Sequence, residues 1–339
     1  MPQNQQILLD NRPEGEAIAS NFKLVSSDTP ALQDGEVLVR HHYLSLDPYM
    51  RGRMNDSKSY AAPQNLGEVM QGGTVGEVVE SRHPKFAAGD KVVGMGGWQE
   101  YAVVKASQPG ALKKVDTTHV PLSHYLGAVG MPGVTAFYGL VKIIAPKAGE
   151  TVVVSAASGA VGSAFAALAK ARGCRVVGIA GGQEKCAYAT SELGFDICID
   201  YREHDNNTHS LAKALKAACP DGIDGYFENV GGWIMDAVML RMNAFSRMAL
   251  CGMIAGYDGA PLPMTNPALI LVNRMKIEGF IVSEHMEVWP EALTELGGLV
   301  ATGKLRPRES VTQGLASAPE AFLGLLKGKN FGKQLVKLV

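Results

Sequence analysis

The chain has 339 residues, of which 46% are hydrophobic and 19% charged, with a formal net charge of −1 at pH 7. One hydrophobic core rarely grows past about 250–300 residues, so two domains are expected. The near-zero charge offers no basic field for nucleic acid or an anionic membrane.

The N-terminal stretch Met1–Gln6 lacks the basic and apolar regions of a signal peptide. No apolar run approaches the roughly 20 residues needed to span a bilayer, so a cytoplasmic location is expected. The five cysteines, Cys174, Cys186, Cys198, Cys219 and Cys251, are odd in number and without C-x-x-C spacing. That pattern argues against a disulfide framework or a cysteine zinc site and fits a reducing compartment.

In chain order, the first ~125 residues read as β-rich, with strands predicted over Val37–Leu46, Thr74–Glu80 and Asp90–Val93 between glycine turns. From about Leu126 the period changes. Thr151–Ala156 is a β-branched strand, and a glycine turn leads into a helix over Ala160–Arg172 closed by Gly173. Strand Arg175–Ala180, helix Glu184–Leu193 and strand Ile197–Asp200 follow, then helix Leu211–Cys219, strand Gly222–Val230 and helix Trp233–Met242. Two more strands are predicted over Ser246–Gly252 and Met275–Val282. Strand starts recurring roughly every 20–30 residues are the rhythm of βαβ crossovers and predict a six-stranded parallel sheet. From Arg306 the rhythm breaks, and the terminal strand Gln334–Val339 is expected to return to the first domain. The α/β reading is therefore a nucleotide domain over 126–305 inserted into a β-rich domain of 1–125 and 306–339.

The run from Val152 to Gly162 joins a strand to a helix through a turn of small residues, Ala156-Ala157-Ser158-Gly159. Such a turn lets backbone N–H groups approach a pyrophosphate, with the helix N-terminus adding partial positive charge. Sites for NAD place an acid roughly 20 residues further on to take the ribose hydroxyls. Here Ala180-Gly181-Gly182-Gln183 stands at that position and Lys185 follows, which favours NADP over NAD.

Zinc dehydrogenases of similar layout need Cys, His and acidic ligands, yet Tyr43–Gly52 contains no cysteine and Gly67–Gly73 contains no histidine. The adjacent His41 and His42 point to opposite faces of a strand and cannot chelate together. Without a Lewis acid, hydride addition to a conjugated alkene is the easier chemistry, since the charge spreads into an enolate that one hydroxyl donor can stabilise.

The segments Tyr43–Arg53 (YLSLDPYMRGR), Met131–Ala136 (MPGVTA), Ala156–Gly162 (AASGAVG), Ala180–Cys186 (AGGQEKC), Glu228–Gly232 (ENVGG), Cys251–Tyr257 (CGMIAGY), Gly279–Val282 (GFIV) and Leu325–Lys333 (LLKGKNFGK) stand in one order along the chain. In these the sequence resembles the zinc-independent branch of the medium-chain dehydrogenase/reductases, which contains prostaglandin, 2-alkenal and curcumin reductases. The resemblance implies a Rossmann domain within a GroES-like β-rich substrate domain, NADPH as cofactor without a metal, and a homodimer. It implies reduction of enones or 2-alkenals by hydride transfer to the β-carbon. By position it places Ala157, Gly159, Ala160 and Val161 on the pyrophosphate and Lys185 and Tyr201 on the 2′-phosphate, with Gly181 also binding the cofactor. Asn229 and Cys251 would lie further along the cofactor, Phe280 and Val282 beside the nicotinamide, and Asn330 would reach in from the returning segment. Tyr257 would hydrogen-bond the substrate carbonyl, with Tyr49 the second candidate. Gly256 stands where relatives carry a larger residue, which would loosen the Tyr257 loop. Met70, Met131, Met253, Tyr60 and Trp98 are candidates for an adaptable apolar pocket. A quinone reductase on the same fold stays open as the alternative, as does a non-catalytic dinucleotide-binding protein.

Overall fold

The structure, a computed structural model, describes residues 2–108, 110–259 and 261–339. It divides into two compact units, residues 1–126 with 309–339, and residues 127–308.

The first unit opens with β1 (Gln3–Leu9), β2 (Phe22–Asp28) and β3 (Glu36–Ser45), and a short helix α1 (Tyr49–Arg53). Strands β4 (Thr74–Ser81), β5 (Lys91–Gly94), β6 (Tyr101–Lys105) and β7 (Leu112–Lys114) follow. The second unit runs through α2 (Met131–Tyr138), β8 (Thr151–Ser155), α3 (Ala160–Ala171), β9 (Arg175–Ala180), α4 (Gln183–Glu192) and β10 (Ile197–Asp200). It continues through α5 (Thr208–Ala218), β11 (Ile223–Glu228), α6 (Gly232–Met239), β12 (Met242–Leu250), α7 (Ala268–Val272), β13 (Lys276–Gly279) and α8 (Trp289–Ala301). The chain returns to the first unit as β14 (Glu309–Gln313), α9 (Ala318–Leu326) and β15 (Lys333–Lys337).

The second unit carries the expected six-stranded sheet, in the order β10-β9-β8-β11-β12-β13 with every pair parallel. The order reverses between β8 and β11, the switch point at which α/β sheets bind ligands beyond their strand ends. All five residues of β8 are buried, as a strand covered by helices on both faces requires. Gly173 and Gly194 follow α3 and α4 with φ of +74° and +76°, the left-handed geometry that stops a helix.

Among the boundaries that differ from the sequence expectation, two bear on the site. The helix expected over Trp233–Met242 ends at Met239, and β12 already begins at Met242, because Met242 pairs with Ile223 across a register shift. The strand expected over Met275–Val282 stops at Gly279, and Val282 opens a short 3₁₀ turn.

In the first unit, β3 is shared along its length. Glu36–Arg40 pairs with β6, and Tyr43–Ser45 pairs with β15 arriving from the far end of the chain. Lys333 of β15 locks that return: its buried ammonium donates to the Leu46 carbonyl at 2.8 Å and to Asp47 Oδ1 at 2.6 Å. Ser45 donates to the other Asp47 oxygen. Trp98 lies in this unit's core, stacked on Phe22 with centroids 5.5 Å apart and edge-on to Phe322 at 5.6 Å. Trp98 and Met70 are 0% and 1% exposed, so neither is a wall of an adaptable pocket; both are core.

Candidate functional site

The turn after β8 is closely packed. Ala156 sits at φ +53°, a left-handed conformation that costs a non-glycine residue energy. The Ala157 amide donates to the Ile179 carbonyl at 3.0 Å, bridging to β9, and the Gly159 amide donates back to Ala156 at 2.9 Å. Close approach is written into two glycines. A Cβ at Gly178 of β9 would stand 2.6 Å from the Ala157 methyl, and one at Gly162 would stand 2.5 Å from the Ala157 carbonyl. The amides of Ala157 and Gly159 are thus spent inside the turn, and these residues form its wall. The amides of Ala160 and Val161, in the first turn of α3, are the ones a helix leaves without an internal acceptor, and they can meet an anion.

A second concavity forms where β9 meets α4. Gly182, the N-cap of α4, has φ +104°, open in practice to glycine alone. Its amide donates to Asp200 Oδ1 at 2.8 Å, and the Arg202 amide donates to the same oxygen at 3.0 Å. This clasp lays Tyr201 and Arg202 against the glycine pair. A Cβ on Gly181 would meet the Tyr201 hydroxyl at 2.9 Å and Arg202 Nε at 3.0 Å. Lys185 stands half-buried in the first turn of α4, its ammonium pKa lowered by burial first and by the Arg202 charge second. Two cations and a phenol around a glycine platform suit a phosphate monoester dianion. Arg202 escaped the sequence reading. The signal available was its place directly after Tyr201, but only the Asp200 clasp turns it toward Gly181.

The ends of the adjacent strands β8 and β11 are tied by a buried network. Glu228, wholly buried, accepts from Ser155 Oγ at 2.7 Å and from the Tyr226 hydroxyl at 2.6 Å, while burial pushes its carboxyl up. Asn229 is fixed twice to Ser155, its amide donating to Oγ and its side-chain Nδ2 to the carbonyl, each at 2.8 Å. The segment after β12 hangs from the same place: the Cys251 and Gly252 amides both donate to the Glu228 carbonyl, at 3.0 and 3.2 Å. Desolvation pushes the Cys251 thiol up to about 12, so it stays a neutral thiol. Tyr257 folds back so that a Cβ on Gly252 would lie 3.0 Å from its hydroxyl. The loop is not loosened at Gly256, because Leu262 fills the place where a side chain would stand, 2.9 Å from a Cβ there.

Phe280 packs between Tyr138 and Phe227, with centroids at 5.2 and 6.1 Å. The carbonyl of buried Val282 accepts from the His285 amide at 3.2 Å and the Trp289 indole at 3.4 Å. The second unit therefore gathers the expected residues from Ala157 to Val282 on the loops that follow β8, β9, β10, β11, β12 and β13. Tyr49 and Asn330 belong to the first unit. Tyr49 opens α1 with the Arg53 guanidinium 5.6 Å from its ring centre, and burial, followed by the Asp47 charge, raises its phenol. Asn330 Nδ2 donates to the Gly332 carbonyl at 2.7 Å. Among the described residues no group of three or more His, Cys, Asp or Glu side chains could hold a metal ion.

Two family models match the chain: the N-terminal domain of oxidoreductase over residues 5–112, and the zinc-binding dehydrogenase over residues 160–297. The NADPH-dependent curcumin reductase of Escherichia coli is 45% identical over 99% of this chain and 97% of its own length. The chain is a member of the zinc-independent medium-chain dehydrogenase/reductases. Within that family it stands equally along its whole length beside the NADP(+)-dependent 2-alkenal reductase of Nicotiana tabacum, at 42% identity over 98% of the chain and 97% of the relative. The crystal structure of CurA from Vibrio vulnificus in complex with NADPH superposes with a TM-score of 0.92, at 46% identity and 99% coverage of both chains. This medium-chain reductase thus keeps the family's six-stranded sheet and its glycine turns, and it sets Arg202 beside them.

Proposed function

We propose that the chain reduces the carbon–carbon double bond of α,β-unsaturated aldehydes and ketones, with NADPH as hydride source. The observation that carries the reading is identity of 45% to a curcumin reductase over 99% of the chain and 97% of that relative. The fit to the cofactor is supported independently by the platform of Gly181 and Gly182 with Lys185, Tyr201 and Arg202 around it. When bound, NADPH supplies a hydride to the β-carbon of the substrate.

The chain's own residues then divide the remaining work. Ala160 and Val161 offer first-turn amides to the pyrophosphate, against a wall made by Ala157 and Gly159. Lys185 and Arg202 neutralise the 2′-phosphate while Tyr201 donates to it. Asn229, held rigid by Ser155, faces the ribose side, with Cys251 as a neutral thiol next along. Phe280 gives the nicotinamide an apolar flank, and Val282, its carbonyl already taken, offers its amide to the carboxamide. Tyr257 donates its hydroxyl to the carbonyl oxygen as negative charge develops there. Tyr49, in the first unit, keeps its phenol protonated across the working range, since burial and then the Asp47 charge raise it. The final proton comes from solvent or from a ribose hydroxyl, since a phenol is a weak acid near pH 7.

The reading also carries a homodimer. Strand β13 is an edge of the six-stranded sheet, and Leu271, Val272 and Phe245, which are 79%, 60% and 68% exposed, present apolar side chains beside it. A monomer by light scattering would end that part.

The test is NADPH oxidation with a 2-alkenal, a diarylidene diketone of the curcumin type, a quinone and a saturated aldehyde, with products weighed by mass spectrometry. Turnover of the first two with the carbonyl retained is expected. Turnover of the quinone alone overturns the reaction while leaving the cofactor in place.

A further inference from the structure

We propose that Cys186 and Cys198 form a reversible intramolecular disulfide, and that closing it weakens the grip on the cofactor's 2′-phosphate. The coupling to the cofactor rests on the reading of Lys185, Tyr201 and Arg202 given above; the disulfide itself does not.

The two sulfurs lie 3.1 Å apart, inside ordinary contact for two sulfur atoms, with the Cys198 thiol donating to Cys186. Both side chains are part-exposed, so a small oxidant can reach them. Cys174 and Cys219 are buried, and Cys251 is held as a neutral thiol. Cys186 sits in the first turn of α4, a ten-residue helix whose N-terminus favours a thiolate. Its pKa is lowered, first by the Cys198 hydrogen bond, whereas that of Cys198 is raised by the same contact. The pair therefore has an attacking sulfur and a resolving one.

With a low-molecular-weight disulfide such as glutathione disulfide as oxidant, the chemistry balances. The Cys186 thiolate attacks one sulfur of glutathione disulfide, forming a mixed disulfide and releasing one glutathione thiolate. Cys198 then loses its proton to solvent and attacks Cys186 Sγ, which forms the internal bond and expels the second glutathione. Two protein thiols are oxidised, and one glutathione disulfide is reduced to two glutathiones.

The location gives the bond a consequence. Cys186 follows Lys185 directly on α4, and Cys198 lies on β10, two residues before Asp200, whose carboxylate holds Gly182 and Arg202. Bond formation draws the sulfurs from 3.1 Å to about 2.0 Å. The first turn of α4 and the end of β10 must shift against each other by that closure. Lys185 lies in the first of these segments, Tyr201 and Arg202 follow the second directly, and NADH lacks the 2′-phosphate to which the three are assigned.

The experiment takes the full chain, reduced and then incubated with excess glutathione disulfide, and counts thiols after denaturation alongside intact mass. Expected are a fall from five thiols to three, as two are consumed, and loss of the mass of two hydrogens. Cys198→Ser should stop at the mixed disulfide, gaining one glutathionyl group, and Cys186→Ser should resist. In fluorescence titration the oxidised chain should bind NADPH about tenfold more weakly, with NADH unchanged and dithiothreitol restoring the difference. Persistence of five thiols overturns the disulfide. A disulfide that leaves NADPH affinity untouched overturns the coupling. Reduced chain that binds NADPH and NADH alike sinks the cofactor reading instead, and the mass result still decides the bond.

Discussion

Gly182 and Asp200 are joined by a 2.8 Å hydrogen bond from backbone amide to carboxylate, across the ends of two neighbouring strands. The acid spends its oxygen on the backbone, with the Arg202 amide as its second donor. It thereby shapes the glycine platform proposed to receive the 2′-phosphate, where an NAD site would offer a carboxylate to the ribose.

Cofactor selectivity follows from that arrangement. Lys185→Ala should raise the NADPH dissociation constant about tenfold, the worth of one charge-assisted hydrogen bond, and leave NADH nearly unaffected. Arg202 is exposed, and its loss should cost only about threefold. Paired titrations with NADPH and NADH check both. Equal weakening of the two cofactors would place these cations elsewhere than at the 2′-phosphate.

The Tyr257 hydroxyl is the proposed donor to the developing enolate. Tyr257→Phe should lower kcat on a 2-alkenal by about a hundredfold, with NADPH affinity unchanged and quinone turnover less affected. Gly252→Ala should imitate it in part, because the added methyl lies 3.0 Å from that hydroxyl. Steady-state rates on both substrate classes measure the difference.

His41 makes the first unit sensitive to acid. Burial lowers its pKa from 6.5 to about 4, so the folded chain keeps the ring neutral where the unfolded chain protonates it. Stability is therefore full above pH 6.5 and falls as the pH drops toward 4, by about 1.4 kcal/mol per pH unit. Melting temperatures across that window should slope less steeply in His41→Gln. A parallel slope in the variant would remove His41 as the cause.

The buried Asp47–Lys333 pair should behave asymmetrically. Asp47→Ala leaves an ammonium buried without its partner and should cost about 3–5 kcal/mol, whereas Asp47→Leu with Lys333→Met should cost far less. Urea unfolding of the single and double variants separates the two outcomes.

The sequence carried the second unit's plan well, because β8 and β9 are runs of mostly buried, largely β-branched residues and the helices after them are closed by glycines at positive φ, Gly173 and Gly194. It carried the first unit less well. The β1–β2 hairpin, β6 and β14 were not foreseen, since Phe22–Asp28 and Glu309–Gln313 are half-exposed edge strands without a clean hydrophobic run. Helix α8 over Trp289–Ala301 also went unread, with Gly297 and Gly298 near its end. At the site, the glycine turns and Lys185 were legible as local motifs. Arg202 and the Cys186–Cys198 contact depend on how β10 lies against β9 and α4, a tertiary fact that no spacing encodes.

The pairing of β3 with β15 also sets an order of events during synthesis. Asp47 stands 286 residues ahead of the lysine that neutralises it. Until Lys333–Lys337 have left the ribosome, the Tyr43–Ser45 edge of β3 lacks its strand partner and a carboxylate waits without its cation. The nucleotide unit, whose six strands all lie between residues 151 and 279, can close first. The nascent chain therefore carries a finished sheet beside an unfinished one, and its exposure to misassociation lasts until its final strand is made.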